Sequence, residues 1–130
     1  MKKYTDEQLI SIYLEKCKEI EQGTLTGEYK KSNAAGKILK NIFKHFETNH
    51  EQAQRILSIL LTNRNVVARC KAAAYCLSLS ILKEEAIKVL IEASKDDSLG
   101  IFAFNAEMIL KVYREQGYLR IYPTQKINER

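Results

Sequence analysis

The chain has 130 residues, 45% of them hydrophobic, with one proline, five glycines, no tryptophan and a formal net charge of +5. That length suits one domain with a real core but not two, and so little Pro and Gly beside abundant Leu, Ile, Ala, Lys and Glu points to an all-helical protein. No apolar run approaches the ~18 residues of a membrane span, and acids follow the basic start at once without a small-residue cleavage site, so no signal peptide is expected.

Helix signals recur along the chain. Thr5 with Gln8 makes a capping box ahead of Leu9, Ile12, Tyr13, Cys17 and Ile20, an amphipathic stripe predicted to end near Gly23. The stretch GTLTGEYKK reads as a loop. Ser32 or Asn33 then caps a helix carrying Ala35, Ile38, Leu39, Ile42, Phe43 and Phe46 on one side. Asn49 with Gln52 forms a second capping box before Ala53, Ile56, Leu57, Leu60 and Leu61. Asn65 caps VVARCKAAAYCLSL, and Glu84 and Glu85 suit the start of the helix that follows. Ser98 opens a last helix that closes at Gly117, a C-terminal glycine cap. The expected domain is 1–122, six helices with short connections. Residues 123–130 are expected to form a frayed polar tail, with Tyr118 and Tyr122 able to fold back as a cap over the last unit.

A shift of 33 residues lays AQRILSILLTNRNVVARCKAAAYCL over AIKVLIEASKDDSLGIFAFNAEMIL. Ala53 then meets Ala86, Leu57 meets Leu90, Ala73 meets Ala106 and Leu77 meets Leu110. NAAGKIL at 33–39 takes the same place in a first unit. Three helix–turn–helix units stacked side by side explain the run of alanines: a second helix that touches its own first helix and both neighbouring units needs small side chains. Ala34, Ala35, Ala72, Ala73 and Ala106 are the expected contact positions.

The segments NRNVVARCKAAAYCL and SKDDSLGIFAFNAEMIL resemble the HEAT-like motif, a polar turn followed by an Ala-Ala-x-x-x-Leu contact face. The third unit carries Phe102 where the second has Arg69. The order KKSNAAGKILKNIFKHF, VVARCKAAAYCL, EEAIKVLIEAS and EMILKVYREQGYL is similar to a family of small bacterial helical domains of uncharacterised function, over about residues 28–122. The resemblance implies a short right-handed α-α superhelix, a HEAT/armadillo-like solenoid of three helical hairpins. Some small proteins of this kind neutralise toxins of bacterial competition systems, so an immunity role is one expectation.

Charge is uneven. Residues 33–71 hold seven Lys and Arg against Glu47 and Glu51, whereas residues 1–32 balance. The excess marks either an acidic partner surface or a solvated face kept for solubility. Aligned positions on the second helices select one candidate recognition face: Asn33, Lys37, Lys40 and Lys44, then Lys71, Tyr75 and Ser78, then Phe104, Glu107 and Lys111. Asn33 reads as either a helix cap or a contact. Arg69 reads either as a structural tie to Asp96, Asp97 or a helix-end carbonyl, or as a grip on a partner.

Three cysteines, Cys17, Cys70 and Cys76, lack metal spacing, and Cys70 and Cys76 lie roughly 120° apart around a helix, so they read as buried thiols of a reducing compartment, the cytoplasm by default. No nucleophile motif, phosphate loop or carboxylate pair appears, and no catalytic residue, metal or cofactor is expected. The expected function is a non-enzymatic protein-binding module, most specifically an immunity or antitoxin-type inhibitor that occludes a toxin domain. The alternative is nucleic-acid binding through the basic 33–71 segment.

Overall fold

The computed structural model describes residues 3–127, and among them lie six α-helices, a short 3-10 turn at Asp97–Leu99 and no strand. The helices are α1 (Asp6–Thr26), α2 (Tyr29–Glu47), α3 (His50–Leu60), α4 (Val66–Leu79), α5 (Lys83–Ser94) and α6 (Ile101–Gln116). Neighbours in sequence pack as neighbours in space: α1 lies along α2, α4 along α5 and α5 along α6, while α1 also rests on α4.

The helix ends show where local chemistry decided the boundaries. Thr5 and Gln8 form the expected reciprocal capping box, and Asn65 accepts from the Ala68 N–H at 2.9 Å. The first helix does not stop at Gly23. It continues to Thr26 and is closed by Gly27 in the left-handed conformation (φ 79°), whose N–H bonds back to the Gly23 carbonyl. The next helix therefore begins at Tyr29, most of the expected loop is helical, and Asn33 is an exposed residue inside α2 rather than a cap. Asn49 stands before α3 but does not cap it with its side chain; its amide donates to the His45 carbonyl at 2.8 Å. The last helix starts at Ile101, after the 3-10 turn, and closes at Gly117 (φ 81°) as expected.

Gly23 has a different role. A methyl group added there would sit 2.6 Å from Ser32 Cβ and 3.0 Å from the Glu28 carbonyl oxygen, so the missing side chain lets α1 and the start of α2 approach closely.

The core is built on α4. Ten of its 14 residues are buried, four of them alanine, so it is apolar almost all round, as a helix enclosed by others must be. The eight residues paired by the 33-residue shift are all buried, and Ala35 with Leu39 in α2 repeats the Ala73–Leu77 and Ala106–Leu110 pairs of α4 and α6. Ala34 does not belong to this set; it faces solvent. Two buried tyrosines lock α4 to the first hairpin: Tyr13 donates to the Ala68 carbonyl at 2.7 Å and Tyr75 to the Leu39 carbonyl at 3.2 Å. The Tyr75 ring packs on Phe43, centroids 4.9 Å apart, and meets Tyr13 edge-on at 6.2 Å.

The C-terminal segment folds back over this layer. Tyr122 donates to Glu47 at 2.7 Å, and Gln125, only 4% exposed, donates to Ser78 Oγ at 2.7 Å while its own side-chain oxygen accepts from the Ile121 N–H. Residues 119–125 are thus docked, where the composition suggested fraying from 123; residues 128–130 of that tail lie outside the described residues. The cap sits on α2 and α4 rather than on the last unit, because Glu47 and Ser78 offer the polar partners.

The two helical glycines make a paired prediction. Gly23→Ala should lower unfolding free energy by about 1–3 kcal/mol, the usual cost of overpacking. Gly36→Ala, where nothing lies within 4 Å of the added methyl, should raise it by about 0.5–1 kcal/mol. Urea unfolding of both variants checks this, and equal shifts would contradict the close crossing.

Candidate binding surface

Beginning α2 at Tyr29 adds Lys30 and Lys31 to a helix that already carries Lys37, Lys40 and Lys44, and all five are exposed. At about 100° per residue, Lys30, Lys37, Lys40 and Lys44 fall within roughly 80° of arc and span about 21 Å of helix. The stripe lies opposite Ala35, Leu39, Ile42, Phe43 and Phe46, which face the core. Among the described residues the ion pairs involve Lys16 and Arg55 and none of these lysines. The one acid on the helix, Glu47, is turned to the Tyr122 hydroxyl, and Lys44 Nζ sits 4.8 Å from the centre of that tyrosine's ring. The result is a row of exposed ammonium groups, none in an ion pair among the described residues, with Asn33 and Asn41 exposed between them.

The candidates on α4 are not part of that surface. Tyr75 is 2% exposed and belongs to the core, Ser78 is taken by Gln125, and Lys71 is half-buried. The spacing that leaves Lys37 free on α2 places its counterpart Tyr75 inside, because α4 is the middle helix, with the first hairpin and the C-terminal segment over this side. Arg69 donates from Nη1 to the Asn63 and Arg64 carbonyls at 2.9 and 3.1 Å, tying down the turn between α3 and α4 rather than reaching Asp96 or Asp97. On α6, Phe104, Glu107 and Lys111 are exposed. The expected single face therefore resolves into two separate ones, on α2 and on α6.

Two features carry no sequence signature that singled them out. One is a polar network in which Asp6 binds Arg55 through two contacts at 2.9 and 3.1 Å, and Gln52 joins Asp6, the Tyr4 carbonyl and His45. Hydrogen bonds from Arg55 and then Gln52 hold the Asp6 carboxyl below its usual range. The other is the docking of Gln125. The missed lysines were legible: once Gly27 is taken as the helix end, Lys30 falls seven residues before Lys37 on the same stripe.

The thiols are unsuited to nucleophilic work at neutral pH. Burial pushes Cys17 up to about 11 and Cys76 up to about 12, and it raises Cys70 as well. No group of three His, Cys, Asp or Glu among the described residues is arranged to hold a metal ion, and no described helix is long and apolar enough to cross a membrane. Compared with family models, curated proteins and solved structures, the chain matches none of them.

Lys71 lies close to Cys17, and burial depresses its ammonium below the ordinary lysine range. The unfolded chain then binds more protons than the folded one between the two values, so stability rises with pH across that window. Lys71→Met should stabilise the protein at neutral pH by about 1 kcal/mol, since it removes the cost of half-burying a charge. The gain should shrink as pH approaches about 10, where lysine deprotonates in either state. Urea midpoints at both pH values check this; an unchanged or lower midpoint at neutral pH contradicts it.

Proposed function

We propose that this chain is a HEAT-like helical-repeat binding module, non-enzymatic, that grips an acidic surface of a partner protein through the lysine face of α2. The observation that carries this reading is the row of exposed lysines, Lys30, Lys37, Lys40 and Lys44, without ion-pair partners among the described residues, on a helix whose opposite side is locked into the core. Free ammonium groups on a rigid helix steer a complementary partner and fix its register. The repeat reading is supported by the equivalent buried Ala–Leu pairs of α2, α4 and α6, and by α1 lying along α2 and α5 along α6.

In its most specific form the module is an immunity-type inhibitor that occludes a toxin domain by sitting across it. The residue-level resemblance to small bacterial helical domains supports that form, and the charge selects the partner. Inhibitors that imitate phosphate are acidic, whereas this face is basic, so the occluded surface is acidic or the toxin is not a strongly basic nuclease.

A nucleic acid is the second reading, favoured by the linear spacing of the ammonium groups. Four phosphate contacts imply that log affinity falls with log salt at a slope of about −3 to −4. Binding to mixed-sequence DNA and RNA at low and moderate salt separates the readings. Tight, steeply salt-dependent binding would replace the protein partner with a phosphate backbone.

The direct test is purification from the native host with neighbouring genes expressed, followed by affinity measurement on whatever co-purifies stoichiometrically. Replacing Lys37, Lys40 and Lys44 by Glu should slow association at least about ten-fold while leaving helix content unchanged. Affinity that survives the triple reversal would remove α2 as the binding face.

A further inference from the structure

The last helix presents a second face whose chemistry differs from that of α2. Ile101, Phe104, Met108 and Val112 are 52, 58, 37 and 37% exposed, and none of them belongs to the core. Their spacing of three, four and four residues places them in one continuous stripe. It runs opposite the buried Ala103, Ala106 and Leu110, which pack toward α5 and α4. The final helix of a helical stack ordinarily ends on a polar outer face. This one ends on an apolar seam about 17 Å long.

The geometry points to a second copy of this chain as the occupant, with two α6 helices packed antiparallel about a two-fold axis. Charge carries the argument. The flank of the stripe bears Glu107, Lys111, Arg114 and Glu115, two of each sign, so the face is neutral although the chain carries +5. A two-fold axis perpendicular to antiparallel helices brings the same flank of each helix together with its direction reversed. Centred near residue 109, it sets Lys111 of one copy against Glu107 of the other, twice over, while Met108, Val112 and Phe104 interdigitate. Parallel pairing would lay that charged flank against Asn105, Ile109 and Gln116 and leave the charges without partners.

The lysine excess sits on α2, which packs mainly on α1 and α3, so the pairing does not rest on the basic face. One helix face from each copy buries less than the ~800 Å² per partner of a stable standard interface. The dimer is therefore concentration-dependent, with a dissociation constant on the order of micromolar. It is independent of what α2 binds.

Sedimentation velocity of the full chain over a wide concentration range should show a monomer–dimer equilibrium. Replacing both Phe104 and Met108 by Glu, exposed positions whose change leaves the core intact, should abolish the dimer without loss of helix signal. Lys111→Glu alone should weaken it about ten-fold by setting two carboxylates face to face. Combining Lys111→Glu with Glu107→Lys should restore it to within about three-fold, a rescue that antiparallel pairing alone produces. A chain that stays monomeric at the highest concentration overturns the proposal. So does a dimer that survives the double Glu variant, or one that the charge swap fails to rescue. A monomer whose α6 is instead covered in a complex with another protein would also overturn it, by naming a different occupant.

Discussion

The structure depends on enclosing α4. A helix surrounded by others has to offer a small side chain wherever a backbone approaches, and Ala68, Ala72, Ala73 and Ala74 supply these positions, with Cys70 and Cys76 as small apolar fillers. Tight packing alone would leave the orientation of the first hairpin loosely fixed. The hydroxyls of Tyr13 and Tyr75 settle it, each reaching a backbone carbonyl across an interface, Tyr13 on α4 and Tyr75 on α2. Both hydroxyls are deep enough that burial raises their pKa well above the ordinary tyrosine value, so they remain donors throughout the physiological range.

Enclosure also decides which surfaces remain for binding. Lys37 and Tyr75 occupy equivalent places relative to the buried Ala–Leu pairs of their helices, and Met108 completes the set in α6, 33 residues after Tyr75. In the middle helix that position is core; in α2 and α6 it is open. One aligned row thus becomes a basic face at one helix and an apolar seam at another. The two have different physics: long-range steering at α2, short-range desolvation at α6.

Much of this was legible in the residues. Six helices, the Thr5–Gln8 box, the Asn65 cap and the Gly117 stop were all readable, and the 33-residue shift selected eight positions that proved buried. Periodicity reports which side of a helix is apolar, but it does not say that a middle helix is covered on every side, and so Tyr75 read as a contact residue. The hydroxyl concealed its role, since a tyrosine ring in the core looks like one at a surface until its partner carbonyl is known. Gly23 misled for a related reason: a glycine that permits a helix crossing is indistinguishable in sequence from one that ends a helix. Gln125 was unreadable because its partners, Ser78 and the Ile121 N–H, become neighbours only after the chain has turned back.

The central claim is that α4 is the enclosed helix on which the others are assembled. Native-state amide hydrogen exchange measures this directly, because an enclosed helix exchanges through global unfolding while outer helices also open locally. The account predicts that the amides of Ala72 to Leu77 exchange most slowly, with an opening free energy equal to that from denaturant unfolding, and that the outer turns of α2 and α6 exchange faster. Exchange of α4 through local opening, at rates like those of α2, would contradict it.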